Sequence, residues 1–244
     1  MISIEFHKNH LKRTHIFFAK RPKISHLIGF YDYFRCESRN NILGFKRNDS
    51  YTKLIDLTKS PDEIFNHFNK TTRYQIKRAI REKAKFSIEP DINAFVDFYN
   101  DFARLNNVAR MEGSYLDSFK NNLFISKAIH KDECLIMHAN IIDFELKRVH
   151  MFSSASHFRN VANHETRKLT GQFNRFLHFK DIIYAKNMNM LLYDLGGYAI
   201  NTGSKSLQNI NRFKDGFGGE LKRESNYVPY LIWLLRKFKR FMNI

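Results

Sequence analysis

Apolar residues recur along this chain with two different periods. Between residues 61 and 102 they return every three or four positions, the spacing of a helix face. Ser60-Pro61-Asp62-Glu63 is a helix start: Ser60 caps, Pro61 suits the first turn and Glu63 completes a capping box. Ile64, Phe65 and Phe68 then form the inner stripe. A second helix is predicted over 71–83. Ile76, Ala79, Ile80 and the stem of Lys83 share one side, and Lys70, Arg73, Lys77 and Arg81 fall on another. Pro90-Asp91 opens a third helix with Phe95, Phe98, Tyr99 and Phe102 on one face. A polar loop over 106–114 leads to a short helix over 115–122.

From residue 134 the period drops to two. Leu135, Met137, Ala139 and Ile141 lie on one face of a strand, and Ile136, His138, Asn140 and Ile142 on the other. Residues 148–155 alternate in the same way, so the two predict an antiparallel hairpin. Aromatic-rich strands are also predicted over 26–34 and 51–57. After a loop over 156–169, a long helix is expected over 170–186 with Phe173, Phe176, Leu177 and Tyr184 inward. A strand over 190–195, a helix over 206–214 and a final strand from Glu220 complete the order. The composition changes near residue 125, which divides the chain into 1–125, with a helical character and a basic helix, and 126–244, richer in strands.

The 244 residues are 43% hydrophobic and include 24 Phe, enough for a large core. Forty-one Lys and Arg against 24 Asp and Glu give a net charge of +17, which directs attention to anionic partners: nucleic acid, a membrane surface or phosphorylated metabolites. Cys36 and Cys134 match no zinc or redox spacing, and a reducing, cytoplasmic compartment fits them better than a disulfide framework. No apolar run reaches the roughly 18–20 residues of a spanning helix. The run from Tyr230 to Leu235 is followed by Arg236, Lys237, Lys239 and Arg240. It suits either weak contact with a membrane surface or a terminal element packed on its own domain.

Three stretches carry a family resemblance. They are Thr71-Thr72-Arg73-Tyr74-Gln75-Ile76-Lys77-Arg78-Ala79, Tyr193-Asp194-Leu195-Gly196-Gly197, and Arg212-Phe213-Lys214 followed by Gly216-Phe217-Gly218-Gly219-Glu220. They resemble the Fem-like branch of the GNAT acyltransferase superfamily, over roughly residues 52–225. That branch includes peptidoglycan-bridge aminoacyltransferases and shorter enzymes that acylate amino sugars for cell-surface polysaccharides such as O-antigen or capsule. The resemblance implies an α+β fold: a twisted mixed sheet flanked by helices, its GNAT core in the C-terminal half and an incomplete, partly helical region before it. It further implies an acyl group taken from coenzyme A and passed to a nucleotide-linked, commonly dTDP-linked, amino sugar. Where GNAT enzymes carry a glycine-rich pyrophosphate loop, this chain has Lys168-Leu169-Thr170-Gly171-Gln172-Phe173, with a single glycine.

Acyl transfer to an amine needs a proton acceptor, a polarised carbonyl and a grip on the anionic handles. Asp194, in an otherwise apolar strand, is the leading acceptor, directly or through water; its alternative role is to brace the Gly196-Gly197 turn. His150 and His138 sit on paired strands and have suitable intrinsic basicity, or are structural. By the resemblance, the coenzyme A pyrophosphate rests at the start of the long helix, against Thr170, Gly171, Gln172 and Asn174, with Arg167, Lys168 and Arg175 at its flanks. Arg212 and Lys214 either hold the sugar's diphosphate and the oxyanion, or form a wet helix end. Arg73 and Lys77 present a basic face to phosphate or to solvent, and Tyr193 completes the substrate set. No ligand cluster argues for a metal. No nucleic-acid-binding signature appears, so nucleic acid is not an expected partner, although the charge allows it. The rival within the fold is a tRNA-dependent aminoacyltransferase of peptidoglycan bridge formation. A monomer and a homodimer are equally compatible with the chain.

Overall fold

A computed structural model describes residues 1–8, 10–156 and 164–242, without the side chains of 164–167 and 240. The chain forms two compact units. The first joins Met1–Thr52 to Leu221–Ile244, and the second is Lys53–Glu220. The composition shift near residue 125 therefore falls inside the second unit, within a strand spanning Leu123–His130.

The first unit contains β1 (Ile2–Lys8), β2 (Leu11–Phe17), β3 (Tyr31–Cys36) and the start of β4 (Phe45–Asp56). The pattern predicts a strand over 26–34. The structure instead has a single 3-10 turn at Ile24–Leu27, with β3 beginning only after Gly29, whose φ is +121°. Strand β1 alternates over Ile2, Ile4 and Phe6, a strand pattern that the sequence reading passes over. The remaining elements are named below with the second unit, except β10 (Glu220–Pro229) and α7 (Tyr230–Phe241), which close the first. Strand order is β1-β2-β3-β10, with β2 and β3 parallel and the others antiparallel. Ile16, Ala19, Tyr33, Cys36, Phe45 and Tyr227 form its core. Helix α7 is fixed by Arg236, whose guanidinium donates two hydrogen bonds to Asp32 at 2.6 and 2.7 Å.

That pair makes a pH prediction. Burial alone would raise the Asp32 carboxyl, but the hydrogen bonds from Arg236 and the nearby His15 bring it down to about 2. A carboxylate depressed in the folded state adds stability above its unfolded value near 4, and that contribution vanishes as pH falls through the folded value. Urea midpoints of wild type and Asp32→Asn are therefore expected to differ at pH 6, by about 2 kcal/mol in free energy, and to converge between about pH 4 and pH 2. A constant gap down to pH 2 would exclude the pair as the cause.

The second unit begins with the end of β4, then α1 (Pro61–His67) and α2 (Lys70–Arg81). Ser60 accepts from the Glu63 amide while the Glu63 carboxylate accepts from the Ser60 amide, as the capping box requires. In α2, Thr72, Ile76 and Ala79 are buried, but Ile80 is half exposed. Residues 76 and 80 share a face only approximately, and the helix turns Ile80 beyond the covered arc. Next come β5 (Lys85–Glu89), α3 (Ile92–Asn106), α4 (Gly113–Asp117), β6 (Leu123–His130), β7 (Glu133–Asp143) and β8 (Arg148–Ser156). The unit ends with α5 (His164–Asn187), β9 (Leu192–Gly197) and α6 (Lys205–Asp215). Strand order is β9-β8-β7-β6-β5. The β9–β8 pair is parallel and the rest antiparallel, and Leu57 donates to Leu191 beside β9. Helices α2 and α5 pack together over one face of this sheet, and α3 lies on the other. This is the α+β arrangement of a mixed sheet between helices.

Candidate functional site

The site is built where β8 and β9 cease to pair. Recorded partners are Arg148 with Leu192, Val149 with Tyr193 and His150 with Asp194. Regular pairing stops there, although β8 continues to Ser156 and β9 to Gly197. On its other edge β8 carries a bulge: Met151 pairs with Asn140 and Ser153 with Ala139, so Phe152 is an extra residue. A bulge re-aims the strand and its amides at this point. Gly196, with φ of +81°, lies against the Met151 carbonyl; a Cβ there would approach that oxygen to 3.1 Å.

Asp194 has no exposed surface. Its Oδ2 accepts a hydrogen bond from Arg148 and lies 2.8 Å from His150 Nδ1. Its Oδ1 accepts from the Gly196 amide at 2.8 Å. The carboxylate thus braces the glycine turn, the alternative considered for it, and is held by a buried guanidinium. It also lies beside His150, which retains 6% exposure. Arg148 is the member that the sequence reading missed. Its signal was present: an arginine two residues before His150 in an otherwise alternating strand.

His138 goes elsewhere. It points to α5, with Nδ1 2.7 Å from Asp181 Oδ2 and Nε2 3.0 Å from Asn174 Oδ1. Ile141 lies three residues on and has opposite parity, so it and its partner His150 face the side of α3. His138 and Asp181 are wholly buried. They belong to a polar seam under α5 that also contains His178 and the pair Tyr193–Asn140. Burial, then the neighbouring His138, Lys214 and Arg175, hold His178 well below the ordinary histidine range. Burial, then Asp181 and Asp194, push the Tyr193 hydroxyl well above its usual value. Tyr193 is therefore an interior hydrogen-bond donor to Asn140, without surface to offer a substrate.

The helix start expected at 170 lies at 164 instead. No glycine or proline interrupts 164–170, so nothing stops the helix extending upstream. Thr170, Gly171 and Gln172 are then interior to α5, where helical bonds engage their amides. Thr170 and Gln172 are buried, Lys168 is exposed, and Asn174 serves His138. Arg175 donates to the Gly171 carbonyl and lies 4.7 Å over the Phe213 ring. The Arg167 side chain lies outside the described residues.

Lys214 is buried at the end of α6, and its ammonium donates to the Gly197 carbonyl at the end of β9. It therefore joins the β8–β9 site, whereas Arg212, two residues earlier, is exposed. Arg73 and Lys77 on α2 are not brought to this cluster: Arg73 donates to the Asn66 carbonyl, and Lys77 lies over the Phe65 ring. Burial pushes the Cys36 and Cys134 thiols up to about 12 and about 11, so neither is a thiolate near neutral pH.

No family model matches the chain, and no curated sequence matches it. Solved structures do. FemX superposes with a TM-score of 0.59 at 12% identity, covering 79% of this chain and 68% of FemX. The C-terminal domain of a protein assigned as a lysylphosphatidylglycerol synthetase from Agrobacterium fabrum gives 0.56 at 14% identity, over 82% of this chain and 68% of that one. L-PGS from Bacillus licheniformis gives 0.55 at 12%, over 82% and 67%. The chain shares the fold of these structures. At these identities the likeness is one of fold, and the chemistry must be argued from the residues.

Proposed function

We propose that this chain is a transferase that passes an acyl or aminoacyl group to an amine. The observation that carries the reading is the end of regular β8–β9 pairing at His150 and Asp194, with His150 beside the buried Asp194–Arg148 pair. In this reading the donor carbonyl enters between the parted strands. Amides of β8 beyond the Phe152 bulge stabilise the oxyanion. His150 Nε2 removes the proton as the amine nitrogen bonds to the carbonyl carbon. The tetrahedral intermediate then expels the donor's sulfur or oxygen, which takes that proton from the imidazolium. Asp194 stabilises the charged imidazole throughout, and Lys214 fixes the end of β9.

Two donors fit. The motif resemblance supports acyl-CoA, with a nucleotide-linked amino sugar as acceptor and the pyrophosphate against the first turn of α5. The likeness to FemX and to lysylphosphatidylglycerol synthetases, together with the +17 charge, favours an aminoacyl-tRNA donor instead. A ligand that binds only the folded chain raises its melting temperature. Acyl-CoAs are expected to do so on the first reading and charged tRNA on the second, each followed by transfer of a labelled group to an amine. No stabilisation and no transfer with either donor would remove the proposal.

A further inference from the structure

We propose that α7 is an interfacial helix that seats the first unit on an anionic lipid surface. On a helix turning about 100° per residue, Leu231, Leu234, Leu235, Phe238 and Phe241 fall within an arc of about 120°. All five are exposed, Phe238 by 61% and Phe241 by 87%. The opposite side is the one that holds the helix down: Ile232 is buried there and Arg236 grips Asp32. The apolar stripe is thus the face that the fold turns outward.

Charge supplies the choice of partner. Lys237 and Lys239 fall about 40° beyond the two edges of the stripe, where lysines on a surface-lying helix reach headgroup phosphates. The segments of the first unit hold 16 Lys and Arg against 5 Asp and Glu, so this smaller unit carries +11 of the chain's +17. At the start of the helix the Tyr230 amide donates to the Gly44 carbonyl, which places Leu43, 94% exposed, beside the stripe. A second protein chain covering this face would have to accommodate that charge, whereas an anionic bilayer complements both features. Among the described residues no helix is long and apolar enough to cross a membrane, so the contact is with a surface. The inference is independent of the transfer reaction.

The test uses the full chain with sedimented vesicles of phosphatidylcholine, alone or mixed with phosphatidylglycerol. Binding is expected only to the mixed vesicles and should weaken as salt is raised. Lys237→Gln and Lys239→Gln should each lower partitioning about fivefold. Leu235→Ser with Phe238→Ser should lower it about a hundredfold. Both side chains are exposed, so the melting temperature of these variants should match wild type. Absence of binding to anionic vesicles overturns the proposal. So does equal binding to neutral vesicles, or binding that the α7 variants leave unmoved. If sedimentation instead reveals a dimer that the same variants dissolve, and no vesicle binding, the occupant is a second copy and the lipid assignment is wrong.

Discussion

Asp194→Ala is expected to destabilise the chain by about 3–5 kcal/mol, because it removes one partner of a buried ion pair with Arg148. The same change deprives the Gly196 amide of its acceptor and releases His150. The cost is one of breaking a buried pair from one side, and the pair itself need not be strongly stabilising. A double variant that removes both charges, Arg148→Met with Asp194→Leu, should therefore recover much of the loss. Urea unfolding of the two variants checks this. If Asp194→Ala unfolds at the wild-type midpoint, the buried pair at the base of the site is not what holds it.

The second large effect concerns rate and not stability. His150→Ala should lower kcat by about 10²–10⁴-fold, the usual worth of a positioned proton acceptor, with a melting temperature close to wild type. On the proposed reading KM for the donor should change little, since the ring would meet the reacting proton and not the donor's handle. Measurement requires only whichever donor supports transfer. A variant that retains turnover would remove His150 from the chemistry. Loss of turnover with an equal loss of fold would give it a structural role only. His138→Ala separates the cases: it breaks the seam with Asp181 and Asn174, so it should act on stability first.

The contrast between the two histidines shows where reading the chain succeeds and stops. Both lie on alternating strands, and both were legible as candidates. Parity on β7 and β8 could not say which face α5 would cover. Only packing sends His138 to Asp181 and leaves His150 beside Asp194. Arg148 is a similar case: its partner is 46 residues away, and no local period connects them. The start of α5 was misplaced because Gly171 and Thr170 resemble a boundary, yet a Cβ at Gly171 would meet nothing within 4 Å and the helix runs through it.

By itself the sequence determined what rests on neighbours along the chain. The Ser60–Glu63 capping box, the α2 and α3 faces and the β7–β8 hairpin all follow from contacts a few residues apart. It also determined the charge, which no fold can alter. Tertiary structure alone decided the rest. It joined the two ends of the chain into one basic unit and turned the apolar face of α7 outward. It also enclosed Asp194 among Arg148, His150 and the Gly196 amide. These depend on which distant segments exclude water from each other, and burial of that kind has no signature in a local pattern.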